Sequence, residues 1–299
     1  MVVVLVQEEA LGADLLAVEA ALAASVVVAS AEEVLPEVGN DFYMKQNYSI
    51  NWLIENYEQG VNLKFIYFWG HSNKYKEEIG KFCFSQWFQS KFVVNSIIFK
   101  TSEHWMMAQK ALLFNDFENF EKIISSESPK IAKEIGRQVN NFNEEIWNAM
   151  KYRIVVAGNV HKFIQNESLK DFLLNTNDKI IIEASPIDTV WGIGLTQDSK
   201  DIDNLYLWRG ENLLGFALME VREYLKQFKL DNLLDSTILP PWKMYPELDQ
   251  DDMFWKMGKG EDYLMDFTQK YLKLSFEEKF LYSITYIEPH NWLGFYEDF

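Results

Sequence analysis

Two short stretches hold the residue types that could do chemistry. Thr101–Lys110 reads TSEHWMMAQK, and Ile182–Gly194 reads IEASPIDTVWGIG. Each sets one carboxylate at a structural boundary beside large aromatic side chains: Glu103 at a helix start, Asp188 in a loop after a strand. Cutting a C–N glycosyl bond calls for proton exchange with the leaving base and for a negative charge near the cation that grows on the sugar. Two carboxylates in aromatic surroundings suit that reaction.

Each residue also has a plainer reading. A carboxylate in the first turn of a helix is favoured by the helix dipole, which holds Glu103 ionised, whereas burial under Trp105 or Trp147 pushes the other way. Asp188 follows Ser185-Pro186, where a turn aspartate is common, but a rigid strand also delivers a loop residue into a cleft there. Trp191-Gly192-Ile193-Gly194 comes next, and its glycines let backbone N–H groups approach a ligand closely. Between Ser128 and Lys162 stand Lys130, Lys133, Arg137, Lys151, Arg153 and Lys162, against Glu134, Glu144 and Glu145. In so acidic a chain this local excess suggests a phosphate-contacting wall, with a solvated helix face as the alternative. Arg137 is its best candidate, since it closes a helix beside Gly136 and arginine suits bidentate phosphate contact.

The elements that must position these groups are mainly helices. Thr101 or Ser102 caps a helix running to about Phe114, and Ser128-Pro129 opens another toward Arg137. Trp147–Ala157 and Lys162–Gln165 read as two helical pieces, followed by Leu169–Asn175. Lys179–Ala184 (KIIIEA) is the clearest buried strand. A helix follows Asn212 through Leu218, Val221 and Leu225. Farther on, Gly258 and Gly260 precede a helix with Leu264, Phe267 and Tyr271. Ser275-Phe276-Glu277-Glu278 fits a capping box for a last helix, ended by Pro289.

Composition sets the frame. The chain has 299 residues, a net charge of −17 and one cysteine, Cys83. That excludes an intramolecular disulfide and cysteine-based zinc, and four scattered histidines argue against a metal cluster. No cofactor is implied. The charge argues against broad adhesion to nucleic acid or anionic lipid but leaves room for a local basic groove. Residues 1–43 differ from the rest. Their first forty contain no Lys or Arg, and the stretch carries eight acidic residues, without which the net charge is −9. An acidic start is a poor signal peptide, and Asp14 and Glu19 interrupt any membrane span. We read 1–43 as foreign to the folded domain, with Met44 as a plausible native start, 44–228 as the main domain, and 229–299 as a helical appendage packed on it. The expected setting is the cytoplasm.

Several blocks in order give these residues a context: F-S-Q-W at Phe84–Trp87, T-S-E-H at Thr101–His104, A-Q-K at Ala108–Lys110, S-P at Ser128-Pro129 and G-R at Gly136-Arg137. Trp147, K-F at Lys162-Phe163, L-L-x-T at Leu173–Thr176, D-x-x-W-G at Asp188–Gly192 and N-x-L-G at Asn212–Gly215 follow. Over roughly Phe65–Leu225 the sequence resembles the NADAR, or YbiA-like, family. The resemblance implies an α+β, mostly helical domain with a small sheet. It also implies N-glycosidase chemistry on phosphorylated ribosylamino-pyrimidine intermediates of riboflavin biosynthesis or on ADP-ribosylated guanine, free or in nucleic acid. It puts the catalytic glutamate at Glu103, the important tryptophan at Trp147 and the aspartate at Asp188. Ser85, Arg137, Lys162, Trp191, Gly192 and Asn212 are expected near the ligand. Trp87, Trp105 and Met107 depart from the usual Phe, Tyr and Gln, and Met107 puts substrate preference in question. A non-catalytic NAD or ADP-ribose binding module is the alternative outside enzymology.

Overall fold

The computed structural model describes residues 46–71, 79–228 and 238–299. The extension 1–43, Met44 and the boundary at Lys229 lie outside the described residues. Side-chain caps start six of the ten helices described below. The Ser49 hydroxyl accepts the Trp52 N–H and opens α1 (Ile50–Glu58). After β1 (Phe65–Phe68) come β2 (Phe92–Val94) and β3 (Ile97–Phe99), an antiparallel hairpin. Its two turn residues, Asn95 and Ser96, both have positive φ (50° and 64°), the geometry that matches the twist of a tight hairpin. Thr101 caps α2 (Ser102–Leu113), Asp116 caps α3 (Phe117–Ser125), and Ser128 caps α4 (Pro129–Gly136) with proline in its first turn.

Asn143 then caps α5 (Glu144–Ile164), one continuous helix of 21 residues where the sequence suggests two pieces. The residues between those pieces include Gly158, a weak helix former. The glycine is there because the Trp105 indole lies against it: a Cβ at position 158 would stand 2.3 Å from Trp105 Cδ1. The Trp105 Nε1–H donates to the Ile154 carbonyl at 2.8 Å. Trp105 is thus keyed into α5, between Phe92, Phe99 and His161.

α6 (Glu167–Leu174) leads into β4 (Ile180–Glu183), which pairs in parallel with β1, Phe65 opposite Ile180 and Phe68 opposite Glu183. Three consecutive isoleucines fill β4 because β1 flanks it and α7 (Leu213–Gln227) packs on it. Parallel pairing brings the C-terminal ends of both strands to one edge, where ligands bind in open α/β sheets. α2 packs on α3, α4 and α5, and α5 on α7, closing a mostly helical α+β core.

The C-terminal region adds α8 (Pro241–Met244), α9 (Lys259–Tyr271) and α10 (Phe276–Thr285), the last with the full Ser275/Glu278 capping box. Its own core is aromatic, built on Trp242, Trp255, Phe267, Tyr271, Tyr282 and Trp292. From α10, Phe280, Leu281 and Ile284 join the main core, and Arg153 of α5 pairs with the buried Glu288 at 3.1 Å. Among the described residues no helix is long and apolar enough to cross a membrane.

Gly158→Ala forces a methyl into the Trp105 ring. The expected loss is about 1–3 kcal/mol of stability, from overpacking that neither backbone nor indole can relieve. Urea denaturation against wild type measures it.

Candidate active site

Glu103 sits in the first turn of α2, its backbone N–H donating to the Gln86 carbonyl at 3.0 Å. The residue is 2 % exposed, and its Oε1 has no hydrogen-bond partner. The Trp87 side chain, whose one polar group is an indole N–H, favours the ionised carboxylate, as do the charges of Lys133 and, more weakly, Arg137. Burial outweighs them and, with the Asp188 charge, pushes the Glu103 carboxyl up from 4.5 to about 7. The helix dipole would hold this group ionised; desolvation wins, so Glu103 can carry a proton near neutrality.

Asp188 lies in the loop after β4. Its N–H donates to Ser185 Oγ at 3.2 Å, and its Oδ1 accepts the N–H groups of Val190 and Trp191 at 3.0 and 2.8 Å. The turn role is met by one oxygen, which holds the loop; the other makes no hydrogen bond with a described residue. The Asp188 charge acts on Glu103 and on a third carboxyl, Glu183, at the end of β4. Burial first, then the Asp188 charge, carries Glu183 from 4.5 to about 8. The charge of Asp188 therefore reaches Glu103, and Glu183 feels both of the carboxylates singled out by sequence.

Sequence reasoning did not include Glu183 or Lys133 among the site residues. Lys133, on the half-buried face of α4, acts on both glutamates and lies over the Trp87 ring at 6.0 Å. His71, on the segment leaving β1, has its ring tilted against that of Trp87, 5.7 Å between centroids. The available signal for Glu183 was a carboxylate closing an otherwise apolar, β-branched run. Lys133 was visible only as one member of a basic strip.

The other expected residues divide. Arg137 is the exposed C-cap of α4, and its charge reaches Glu103. Trp147, half-buried in the first turn of α5, is 5.4 Å from the Lys110 ammonium, which donates to the Gly136 carbonyl beside Arg137. Trp191 is half-buried and tied through its N–H to Asp188. Gly192 has no room for a side chain, because a Cβ would lie 2.8 Å from the Glu183 carbonyl oxygen.

Lys162 is a correction. Its ammonium is buried and donates to the Cys83 and Ser85 carbonyls at 2.6 and 3.3 Å, so in this structure it fixes a loop and does not face a phosphate. Desolvation lowers its pKa to about 8. That loop carries Ser85, whose hydroxyl accepts the Trp87 N–H at 3.1 Å, and Gln86, which anchors Glu103. Asn212 is a second correction. Fully buried, it accepts the Glu183 N–H at 2.9 Å through Oδ1 and donates Nδ2 to the Ile181 carbonyl at 2.9 Å. Both ends of its amide are occupied by β4, so it positions the strand. Met107, the residue that departs from the family's usual Gln, is pressed on Gly136, where a Cβ would come 2.1 Å from its sulfur. Among the described residues no set of three His, Cys, Asp or Glu side chains is arranged to hold a metal ion.

The fold and this cluster define a mostly helical α+β protein in which three carboxyl groups, Glu103 buried and Glu183 and Asp188 partly exposed, interact with the charge of Lys133 or of one another. A profile of the NADAR domain matches residues 67–226, more than half of the sequence, and the chain belongs to the NADAR family. An N-glycosidase of Acanthamoeba polyphaga mimivirus is 44 % identical over 166 residues, 54 % of this chain and 95 % of that protein. A riboflavin biosynthesis protein of Vibrio vulnificus is 29 % identical over 159 residues, 52 % of this chain and 40 % of that one. The NMR structure of Escherichia coli YbiA aligns with a TM-score of 0.46 at 29 % identity, over 56 % of this chain and 89 % of that chain. The protein is an N-glycosidase, a hydrolase of N-glycosyl bonds.

The Glu103 environment also has a stability signature. Its folded-state pKa is raised, so the buried neutral form stabilises the fold fully below about 4.5, and that contribution is lost as pH rises toward 7. Glu103→Gln removes the titration. Relative to wild type the variant should gain stability between pH 5 and pH 8, on the order of 3 kcal/mol at most. Paired thermal melts across that range would show it, and a constant difference would contradict it.

Proposed function

We propose that the protein hydrolyses the C1′–N bond of a phosphorylated ribosyl or ADP-ribosyl nucleobase compound, of the kind found among riboflavin-pathway intermediates. The observation that carries this reading is Glu103: a carboxyl sealed from water, able to hold a proton near pH 7, and within the field of Asp188. In this mechanism Glu103 gives its proton to the leaving nitrogen as the C1′–N bond breaks and its electron pair passes to the base. Asp188 faces the positive charge that develops on the sugar. A water molecule then forms the new C1′–O bond, and its proton passes to a carboxylate of the cluster. Trp147 and Trp191 supply an apolar wall for base or sugar.

Lys133 and Arg137 favour a phosphorylated substrate. Neither side chain makes a hydrogen bond or ion pair with a described residue, yet both act on the carboxyl cluster. The name of the Vibrio vulnificus relative supports a riboflavin-type glycoside as the first compound to try. ADP-ribosylated guanine is the second, because two separated cations suit a diphosphate.

Incubation with a panel of phosphorylated N-ribosides and ADP-ribosylated guanine, with mass detection of freed base, tests the reading. Glu103→Gln and Asp188→Asn are expected to lower kcat by at least about 10³-fold with unchanged circular dichroism. Near-wild-type turnover in both would rule out the mechanism. With Glu103 as the acid, kcat/KM should fall about tenfold per pH unit above neutrality. Lys133→Met should raise KM for the phosphorylated substrate and move that falling limb to higher pH, since Lys133 is the strongest charge favouring ionised Glu103. A limb that stays in place would separate Lys133 from Glu103.

A further inference from the structure

Glu183 has a fully used backbone and an idle side chain. Its N–H goes to Asn212 Oδ1 at 2.9 Å, and its carbonyl accepts the Ile193 N–H at 3.0 Å. The carboxyl makes no hydrogen bond or ion pair with a described residue. Its Oε2 is sealed from solvent without a partner, and the residue as a whole stays partly exposed, so the other oxygen is not sealed in the same way. An unsatisfied buried polar group costs about 1–3 kcal/mol, and here the fold gains nothing visible in return. A group kept in that state at a strand end, among the reacting residues, is arranged for something that binds there.

The facing groups fix the form in which it waits. Asp188 from the loop after β4 and Glu103 from α2 oppose its ionisation, and Lys133 from α4 favours it. Burial decides the balance, toward the neutral acid. A neutral carboxylic acid carries both an O–H donor and an acceptor, so it can bond an anionic oxygen that an ionised Glu183 would repel. With Glu103 and Glu183 both neutral, Asp188 alone opposes Lys133 and Arg137 in this cluster, which leaves the site cationic toward a phosphate.

We propose that Glu183 contacts the substrate, donating a hydrogen bond from its protonated carboxyl to an oxygen of a ribosyl phosphate. The proposal rests on reading this as a site for phosphorylated glycosides. Glu183 then acts in specificity: it makes the site selective for the anionic sugar while it keeps its proton.

The test is calorimetric titration of ribose 5-phosphate into the full chain between pH 7 and pH 9. A Glu103→Gln background removes the titration of that neighbour. In this background affinity should weaken severalfold over the range as Glu183 loses its proton, at a pH somewhat lower than in the wild type, where the Glu103 charge helps raise it to about 8. With Glu183→Gln added, affinity at pH 7 should stay within about threefold and remain flat to pH 9, because the amide keeps a donor that does not titrate. Glu183→Ala in the same background should bind at least about tenfold more weakly at pH 7 with no loss of melting temperature. Parallel weakening with and without Glu183, equal affinity for the Ala variant, or no binding at any pH would overturn the proposal. The base-release assay reports separately. Binding with the Glu183 signature but no freed base would end the substrate reading alone, and turnover with a pH-flat affinity would end this one alone.

Discussion

A two-stranded parallel sheet leaves each strand with a bare edge, and the site hangs from one of them. β4 has β1 on one side; on the other, the Asn212 side chain stands in for a missing strand, accepting from Glu183 and donating to Ile181. Backbone amides inside a core must find partners, so this one carboxamide makes a buried outer edge tolerable. Asn212 can do so because it adopts a left-handed conformation (φ 54°), which asparagine visits more readily than most residues. Gly215 leaves the required space, since a Cβ there would lie 2.0 Å from the Ile181 oxygen. The end of β4, and with it Glu183 and the Asp188 loop, is located by this contact.

A second support reaches the site from the opposite direction. The Lys162 ammonium, at the far end of α5, gathers the Cys83 and Ser85 carbonyls. The loop so held places Trp87 beside Glu103 and offers the Gln86 carbonyl to its backbone. A buried cation that loses part of its hydration is compensated by charge-assisted hydrogen bonds to the loop. Both supports spend polar side chains on backbone groups, which leaves Glu103, Glu183 and one Asp188 oxygen without structural duties.

Much of this was legible in residue order, for physical reasons. Capping is local chemistry, so Thr101, Ser128 and Ser275 marked helix starts correctly. The isoleucine run disclosed β4, and Asp188 after it was a reasonable loop acid. The hairpin at Asn95-Ser96 was not legible, because its strands are three residues each and its turn lacks glycine. The continuity of α5 was not legible either, since the reason for its Gly158 lies 53 positions away at Trp105. Lys162 and Asn212 look like ligand-binding residues because sequence shows a polar side chain without showing what it has already bonded. Glu183 escaped for the opposite reason: it resembled the polar end of a strand, and only its missing partners set it apart.

Helix α5 ties the C-terminal region to the loop that carries Trp87. It carries Trp147 in its first turn, meets the C-terminal region at Arg153, admits Trp105 at Gly158 and holds a loop through Lys162 in its last turn. A rigid rod bound at four heights cannot turn to improve one fit without spoiling three. The salt link to Glu288 therefore works as an alignment pin, and the aromatic tail it fastens bears on the pitch and depth of an element that carries Trp147 near one end and holds the Trp87 loop from the other.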